Sequence, residues 1–534
     1  MENNKIEILD TTLRDGAQGE GISFSVGDKL AIVRALDELG ITWIEAGNPG
    51  SNPKDIEFFR LAGKMNLEHA KICAFGSTRK KGIKAGDDTG LKNLLDTECQ
   101  GLVVFGKSWD LHVKEVLKAS PQENLDMIFE SVSFLKKEGR FVIFDGEHFF
   151  DGWKSDSGYA FSSLKAAMEA GADRIVLCDT NGGTFPDSII DAVWEAANYL
   201  GDPGEILKTY LGIHAHNDSD MASANTLAAV KTGCRHVQGT LVGFGERCGN
   251  ASLAAILPSL ELKLGFNCLP KDKMLLLSEK TRNVAEIANV MIPENMPYIG
   301  RQAFTHKGGM HTDGIIKITT SFEHIDPSLV GNERKLLISE VGGRSAITER
   351  VKKIDASITR DNPVIHLIAE KLKNMEAEGW QFEGADGSFE IFVRRELGIH
   401  KSFFSIEAYR VVTEHPEASN ISCSHAWVKI LVDGKEEISA AEGDGPVHAL
   451  DTALRRALKF FFPELEMVRL SDYKVRVING SEATAAKVRV LITSSDGKNE
   501  WTTLGVSEDI IDASRAALVD SIEYKLIKDL EQKT

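Results

Sequence analysis

The sequence lacks long hydrophobic runs, closely paired cysteines and any excess of positive charge. No uninterrupted apolar stretch approaches the ~18 residues that span a bilayer, and the amino terminus has no apolar signal-peptide core. The seven cysteines are scattered without a C-x-x-C pair, which argues against a disulfide framework and a thiolate zinc site. With 62 Lys and Arg against 79 Asp and Glu, the net charge of −17 would repel nucleic-acid phosphates. These absences predict a cytoplasmic protein without membrane or nucleic-acid partners.

The remaining composition is that of an ordinary globular protein. Hydrophobic residues make up 42% of the chain and charged residues 26%, which disfavours disordered and fibrous architectures. At ~150 residues per domain, a chain of 534 residues allows two to four domains.

Eight short apolar runs alternate with stretches of helical periodicity between residue 5 and about residue 240. The runs are Ile6–Asp10, Ile41–Ala46, Ile72–Gly76, Leu102–Gly106, Phe141–Asp145, Arg174–Asp179, Tyr210–His214 and His236–Thr240. Each is too short for a helix, as expected for parallel strands that are buried on both faces. This α/β pattern predicts a (β/α)₈ TIM barrel, with a catalytic domain over residues 1–265. A doubly wound open sheet is the alternative, but its Gly-rich phosphate loop is missing after the first run.

Residues 266–397 follow a different pattern. Helical periodicity over Lys273–Val290 and Pro363–Glu378 flanks a polar stretch that is punctuated by proline and glycine. Asn362 before Pro363 predicts an N-cap followed by a first-turn proline. We expect helical linker subdomains in this region.

Residues 398–534 contain an internal repeat. The Asp433-Gly434 and Asp496-Gly497 turns lie 63 residues apart, and each connects strand-like segments that precede an amphipathic helix. Asp-Gly between alternating segments is typical of a hairpin. The repeat predicts a C-terminal α+β domain of two pseudo-symmetric strand–strand–helix units. Because it contains no cluster of catalytic residue types, we expect it to serve regulation or dimerisation.

Polar residues follow the predicted barrel strands, where the active site of such a barrel lies. His214 and His216 are two residues apart in a strand, so both imidazoles point to the same face. With the Asp15 carboxylate they form a three-ligand set that suits a divalent metal and leaves positions open for substrate or water. Asn250 either adds an oxygen ligand or is simply a turn residue.

Three more residues at strand ends are candidates for chemistry, and each has a structural alternative. Arg14 is placed to stabilise a developing oxyanion, or it forms a salt bridge at the rim. Thr180 binds a substrate carboxylate or caps the next helix. Glu147 transfers a proton or only orients other groups.

Several motifs together resemble one enzyme family. They are Asp10-Thr-Thr-Leu-Arg-Asp-Gly-Ala-Gln18, His214-Ala-His-Asn-Asp218, Gly243-Phe-Gly-Glu-Arg-Cys-Gly-Asn250 and His306-Lys-Gly-Gly-Met-His311. In this order, and with the C-terminal repeat, they resemble the 2-isopropylmalate synthase, homocitrate synthase and citramalate synthase family. Members are metal-dependent barrels that condense acetyl-CoA with a 2-oxo acid. Segments 18–25, 144–153 and 323–327 resemble its long citramalate synthase branch.

The resemblance implies a role for each candidate residue. Asp15, His214, His216 and Asn250 become ligands of a divalent ion, which could be Mg²⁺, Mn²⁺, Co²⁺ or Zn²⁺. Arg14 becomes the stabiliser of the carbonyl and enolate oxygens, and Thr180 a contact of the 2-oxo acid carboxylate. Glu147 and His311 become the acid–base candidates, and Asp313 positions the hydrolytic water.

The resemblance also implies the reaction and its control. The expected activity is that of an acyltransferase that converts the acyl group into an alkyl group, joining acetyl-CoA to pyruvate to form citramalate on the route to isoleucine. A homodimer and feedback by isoleucine are expected with it. Within the family, 2-oxoisovalerate (2-isopropylmalate synthase) or 2-oxoglutarate (homocitrate synthase) is the alternative acceptor. Outside it, an acyl-CoA lyase or oxo-acid aldolase uses the same barrel, but generally without the C-terminal repeat.

Overall fold

The computed structural model describes residues 4–50, 53–336, 343–359, 362–382, 384–414, 423–478 and 486–533. The chain divides into two compact units. The barrel unit comprises Met1–Phe304 and Ile325–Arg334, and the C-terminal unit comprises Thr305–His324 and Lys335–Thr534. The expected domain boundaries at residues 265 and 397 stay predictions. Within the described ranges, no helix combines the length and apolarity needed to cross a membrane.

The barrel unit contains a closed barrel of eight parallel strands. The strands are β1 (Glu7–Asp10), β2 (Trp43–Glu45), β3 (Lys71–Ser77), β4 (Gly101–Lys107), β5 (Phe141–Glu147), β6 (Arg174–Asp179), β7 (Leu211–Ala215) and β8 (His236–Gly239). Each strand pairs with the next in sequence, and β8 closes the barrel on β1 by placing Gln238 opposite Leu9. The predicted barrel is therefore confirmed, and the open sheet is excluded.

Helices follow the strands along the chain of the barrel unit. They are α1 (Val26–Leu39), α2 (Pro53–Ala62), α3 (Thr89–Asp96), α4 (Pro121–Lys137), α5 (Phe149–Glu169), α6 (Pro186–Leu200), α7 (Pro203–Thr209), α8 (Ala222–Thr232), α9 (Leu253–Pro258) and α10 (Leu277–Ile287). Helix α1 shows how local sequence sets these limits. Ser25 and Asp28 form a capping box at its start, and Gly40 ends it in the left-handed conformation.

Side chains fill the barrel interior, so the barrel is not a pore. A buried apolar layer consists of Leu9, Trp43, Cys73, Val103, Ile143, Val176 and Cys178. At the amino-terminal ends of the strands, Oε2 of Glu7 lies 2.8 Å from Nε of Arg174 and 2.9 Å from Nδ1 of His236. The active sites of such barrels lie at the opposite, carboxyl-terminal ends of the strands, which we call the mouth.

The first part of the C-terminal unit is mainly helical. It contains β9 (Thr305–His306), α11 (Gly309–Lys317), β10 (Lys335–Leu336), α12 (Gly343–Ile354), α13 (Pro363–Ala377) and α14 (Asp386–Glu396). Asn362 caps α13 as predicted, because its side chain accepts a hydrogen bond from the backbone N–H of Val364.

Two similar sheet-and-helix repeats complete the C-terminal unit. The first consists of β11 (Ser405–Glu414), β12 (Cys423–Val432), β13 (Lys435–Gly443) and α15 (Pro446–Lys459), and the second of β14 (Arg469–Val477), β15 (Val488–Ser495), β16 (Glu500–Ser507) and α16 (Ile510–Lys533). Both predicted hairpins and both helices are present. Each repeat also has a leading third strand that the sequence pattern did not indicate, so each is a strand–strand–strand–helix unit.

Candidate active site at the barrel mouth

The chain leaves β1 in a tight turn that carries Arg14 and Asp15 to the mouth. Asp10, the last residue of β1, accepts hydrogen bonds from the backbone N–H and the hydroxyl of Thr12. The backbone N–H groups of Arg14 and Asp15 donate to the carbonyl oxygen of Thr11. Burial raises the pKa of Asp10 to about 7, although the bonds from Thr12 oppose the shift. The Asp-Thr-Thr segment of the first motif therefore shapes the turn.

Asp15, His214 and His216 converge at the mouth. Each offers one ligand atom, these atoms lie within 4.8 Å of one another, and all three residues are buried. Nε2 of His214 is 3.7 Å from Oδ2 of Asp15, which is too long for a hydrogen bond but allows both atoms to contact one ion. Two imidazole nitrogens and a carboxylate oxygen suit a divalent metal. The geometry thus permits the predicted three-ligand set.

Asn250 lies against this cluster. It forms a β-bridge with His216, and its Nδ2 donates to Oδ1 of Asp15 over 2.9 Å. Its Oδ1 is buried and has no hydrogen-bond partner among the described residues. Leaving such an oxygen unsatisfied costs about 1–3 kcal/mol, so a cation near this oxygen would offset a real penalty. The donor set therefore fits a bound metal ion.

Two glycines of the third motif let the chain approach Asn250 closely. A Cβ on Gly245 would lie 2.2 Å from Nδ2 of Asn250. Gly249 has a φ of +89°, and a Cβ there would lie 2.2 Å from the carbonyl oxygen of Gly243. Only glycine fits both demands, which explains the glycine spacing of the motif.

The electrostatics keep all three ligand groups in their metal-binding protonation states. Burial would raise the pKa of Asp15, but Arg14, the two histidines and the hydrogen bond from Asn250 hold it well below its usual value. Burial lowers the pKa of His214 to about 3 and also lowers that of His216. At neutral pH the site therefore presents a carboxylate and two neutral imidazoles, which are the forms that bind metals.

Arg14 is held on three sides. Its Nη1 donates to Oδ2 of Asp15 over 2.8 Å, its Nε donates to Oε1 of Glu45, and its guanidinium lies 3.7 Å from the ring centroid of Phe75. Burial would lower the pKa of Arg14, but Glu45 and Asp15 raise it. Its Nη2 makes no hydrogen bond to the described part of the chain. Arg14 is thus a salt-bridge residue whose guanidinium keeps one nitrogen without a hydrogen-bond acceptor.

Thr180 directly follows β6 at the mouth. Its Oγ1 accepts a hydrogen bond from the backbone N–H of His148 over 2.9 Å, which leaves its own O–H free to donate. His148 has a φ of +57° and immediately precedes α5. The next helix, α6, begins at Pro186 with Phe185 as its N-cap residue, so Thr180 is not its cap.

Glu147 and the two candidates of the linker region lie in different units. Glu147 ends β5 and forms an ion pair with Lys107, which ends the neighbouring β4. In the C-terminal unit, His311 is exposed on α11 with its ring stacked 4.2 Å from that of Phe322. Asp313 forms an ion pair with Lys317 at 2.6 Å. The roles of Glu147, His311 and Asp313 stay predictions.

The structure adds a partner that the sequence reasoning missed. Gln238, on β8, is fully buried and lies 3.0 Å from both His214 and Asp145. The sequence could have indicated this role, because Gln238 is a polar residue in a predicted buried strand, and a buried polar side chain requires a hydrogen-bond partner. Nothing in the local sequence identified that partner.

Comparison with known families covers nearly the whole chain. Residues 5–277 match the HMGL-like family, residues 298–379 the homocitrate synthase post-HMGL domain-like family, and residues 383–526 the LeuA allosteric (dimerisation) domain. The three matches follow the order of the barrel, the helical segment and the repeats.

Curated relatives match over nearly their full lengths. An (R)-citramalate synthase of Aquifex aeolicus (strain VF5) is 48% identical over 528 residues, with 99% of each chain covered. An (R)-citramalate synthase of Geobacter sulfurreducens is 47% identical over 526 residues, with 98% of each covered. A probable 2-isopropylmalate synthase of Methanopyrus kandleri is 32% identical, with 97% of this chain and 98% of that protein covered.

Proposed function

This chain belongs to the citramalate synthase family of HMGL-like enzymes, and on that premise we propose that it condenses acetyl-CoA with pyruvate and hydrolyses the thioester to release (R)-citramalate and CoA. The observation that carries the proposal is the buried Asp15, His214 and His216 cluster directly beside Arg14. A cluster of this kind next to a charged donor suits chemistry on a keto acid.

The metal that this cluster would hold polarises the carbonyl group of a bound 2-oxo acid when it is present. Asp15, His214 and His216 would be its ligands, with Asn250 as a fourth. Mg²⁺, Mn²⁺, Co²⁺ and Zn²⁺ all suit this set.

Arg14 and Thr180 would orient pyruvate and stabilise charge. The free Nη2 of Arg14 would donate to the oxygen on which negative charge develops, and its fixed contacts with Asp15 and Glu45 mean that little reorganisation is needed. The free hydroxyl proton of Thr180 would donate to the pyruvate carboxylate.

Proton transfer is assigned to Glu147 and His311. Removal of a methyl proton from acetyl-CoA needs a base within hydrogen-bond reach, and hydrolysis needs a positioned water. Glu147 lies at the mouth at the end of β5. His311 of the C-terminal unit would be the second acid–base residue, and Asp313 would position the water.

A stacked aromatic pair favours a small acceptor. Phe75 on β3 and Phe105 on β4 stack with ring centroids 5.3 Å apart, and Phe75 also contacts the guanidinium of Arg14. These rings would form a wall beside the acceptor carbonyl. A methyl group fits next to such a wall more easily than the branched chain of 2-oxoisovalerate, which supports pyruvate as the acceptor.

Control of the activity is assigned to the C-terminal unit. The match to the LeuA allosteric (dimerisation) domain supports a homodimer. We infer that isoleucine, the end product of the proposed route, is the feedback effector. The cytoplasm is the compartment in which acetyl-CoA and reduced cysteines would both be available.

The release of free CoA from acetyl-CoA tests the function directly. The assay compares pyruvate, 2-oxoisovalerate, 2-oxoglutarate and no acceptor at matched concentrations. We expect the highest kcat/KM with pyruvate, and chiral analysis should identify (R)-citramalate. A kcat/KM for 2-oxoisovalerate equal to or above that for pyruvate would make the enzyme a 2-isopropylmalate synthase instead.

A further inference from the structure

Three buried residues from three strands form a hydrogen-bonded chain that ends at a proposed metal ligand. Nε2 of Gln238 donates to Oδ1 of Asp145 over 3.0 Å, and Oε1 of Gln238 lies 3.0 Å from Nδ1 of His214. Gln238 is fully buried and Asp145 nearly so. This series of hydrogen bonds therefore runs from β5 through β8 to β7 inside the barrel.

The orientation of the Gln238 amide decides which ring nitrogen of His214 carries the proton. An amide that donates to Asp145 through Nε2 must present its oxygen, an acceptor, to His214. Nδ1 of His214 then carries the proton, and Nε2 keeps its lone pair on the side of Asp15. Such an arrangement suits a metal ligand, because a ligating histidine usually donates its other N–H to a neighbouring acceptor.

The opposite orientation of the Gln238 amide would leave His214 unable to bind the metal through Nε2. If the amide nitrogen faced His214, the proton of the ring would move to Nε2. The nearest carboxylate oxygen, Oδ2 of Asp15, lies 3.7 Å from that atom, which is beyond hydrogen-bond distance. The buried N–H would be unsatisfied and the lone pair would be lost to the metal.

We propose that Asp145 and Gln238 are positioning residues, in which Asp145 fixes the amide of Gln238 and Gln238 thereby holds His214 as the Nδ1–H tautomer with Nε2 ready to bind the metal. This inference rests on the proposed metal site and adds the residues that orient one of its ligands. Neither residue touches the substrate.

Mn²⁺ affinity of the full-length protein tests the proposal without any turnover. Free Mn²⁺ is counted by its EPR signal during a titration, and calorimetry gives a second measure of Kd. Gln238→Met keeps the side-chain volume but removes the amide acceptor. We expect its Mn²⁺ affinity to fall about 10–100-fold, the usual range for a lost partner of a ligating histidine. Asp145→Leu should have the same effect.

An exchange of the two groups gives the sharpest test. In Gln238→Glu/Asp145→Asn, the amide now at position 145 donates to the carboxylate at 238, which still accepts from Nδ1–H of His214. We expect its Mn²⁺ affinity to return to within about threefold of the unaltered protein. Circular dichroism is the second readout, because a merely structural role would lower the Mn²⁺ affinity of Gln238→Met only together with its folded content. The matched control is His236→Gln, on the same strand but beside Glu7 at the other end of the barrel, and it should bind Mn²⁺ normally.

The possible results distinguish an error in the proposed metal site from an error in the proposed role of Asp145 and Gln238. If the unaltered protein binds no Mn²⁺, the metal site itself is wrong. If it binds Mn²⁺ and Gln238→Met binds equally well, only the positioning role is overturned. If Gln238→Met does not fold, as judged by circular dichroism, the exchanged double variant decides, because folded protein with lost affinity contradicts the proposal and retained affinity supports it.

Discussion

The guanidinium of Arg14 favours the ionised forms of several buried carboxyl groups at the mouth, but their pKa values shift in different directions. Burial raises the pKa of Glu45 although it is paired with Arg14, and burial together with the nearby Glu45 raises that of Asp145. Asp15 is also buried, but Arg14, two histidines and Asn250 more than offset the penalty. The carboxyl group that remains most strongly ionised is therefore the one proposed to bind a cation.

At the scale of single residues, removing the imidazole of His214 should prevent metal binding. His214→Ala deletes a nitrogen ligand but leaves the apolar barrel layer intact, so we expect loss of bound metal and of CoA release, with an unchanged circular dichroism spectrum. Elemental analysis of the purified variant measures the metal. Added imidazole should restore part of the activity by filling the space. Full metal content in the variant, or full activity of the unaltered enzyme in EDTA, would contradict the ligand assignment.

The aromatic wall predicts a change of acceptor preference. Phe105→Ala opens space beside Phe75, so we expect kcat/KM for 2-oxoisovalerate to rise relative to pyruvate by about 10–100-fold, which corresponds to about 1–3 kcal/mol. Steady-state kinetics with both acceptors measures this ratio. The control is Phe141→Ala, which removes a ring that stacks on Trp43 at the other end of the barrel. An unchanged ratio in Phe105→Ala would show that other residues limit acceptor size.

At the scale of elements, the two repeats use their equivalent turns differently. Asp496, between β15 and β16, accepts backbone hydrogen bonds from Lys498 and Asn499, and its Oδ2 lies 2.8 Å from Nζ of Lys525 on α16. Asp433, at the equivalent turn of the first repeat, has a φ of +47° and is exposed. The second turn is therefore tied to its helix by a charge-assisted hydrogen bond.

Asp496→Asn should destabilise the second repeat by about 1–2 kcal/mol at neutral pH, because the amide keeps the turn but loses the charged bond to Lys525. Burial would raise the pKa of Asp496, but Lys525 and the backbone N–H groups lower it. The stabilisation is therefore present above the unfolded pKa of about 3.9 and is lost as the pH falls below it. Urea unfolding at pH 7 and at pH 3 measures this difference. Asp433→Asn is the matched control, and an equal loss in both variants would contradict the prediction.

At the scale of the molecule, the barrel unit and the C-terminal unit are expected to be coupled by an effector. Isoleucine should lower the rate of the full-length enzyme, with leucine and valine acting weakly, through a coupling of about 1–3 kcal/mol. Because we place the effector in the C-terminal unit, isoleucine should leave the Mn²⁺ affinity unchanged. Rate measurements and Mn²⁺ titrations with each amino acid test this. Competition between isoleucine and pyruvate would instead place the effector at the mouth.

The sequence by itself determined the eight barrel strands and the main ligand pair. Eight apolar runs became eight strands because burial on both faces requires continuous apolar residues, and His214 and His216 share a face because the strand period is two. It did not indicate β11 and β14. Both are half-exposed strands whose register shifts near one end, so their alternation is weak. Local pattern is reliable only where burial is strong and regular.

Only the tertiary structure decided which distant residues meet. Closure of β8 on β1 brings Asn250 against Asp15, and the barrel interior joins Asp145, Gln238 and His214. Hydrogen bonds between side chains on different strands depend on register and on the stagger of a closed barrel, and no short stretch of sequence encodes these. The sequence therefore named the groups that could bind a metal, and the fold determined the partners that orient them.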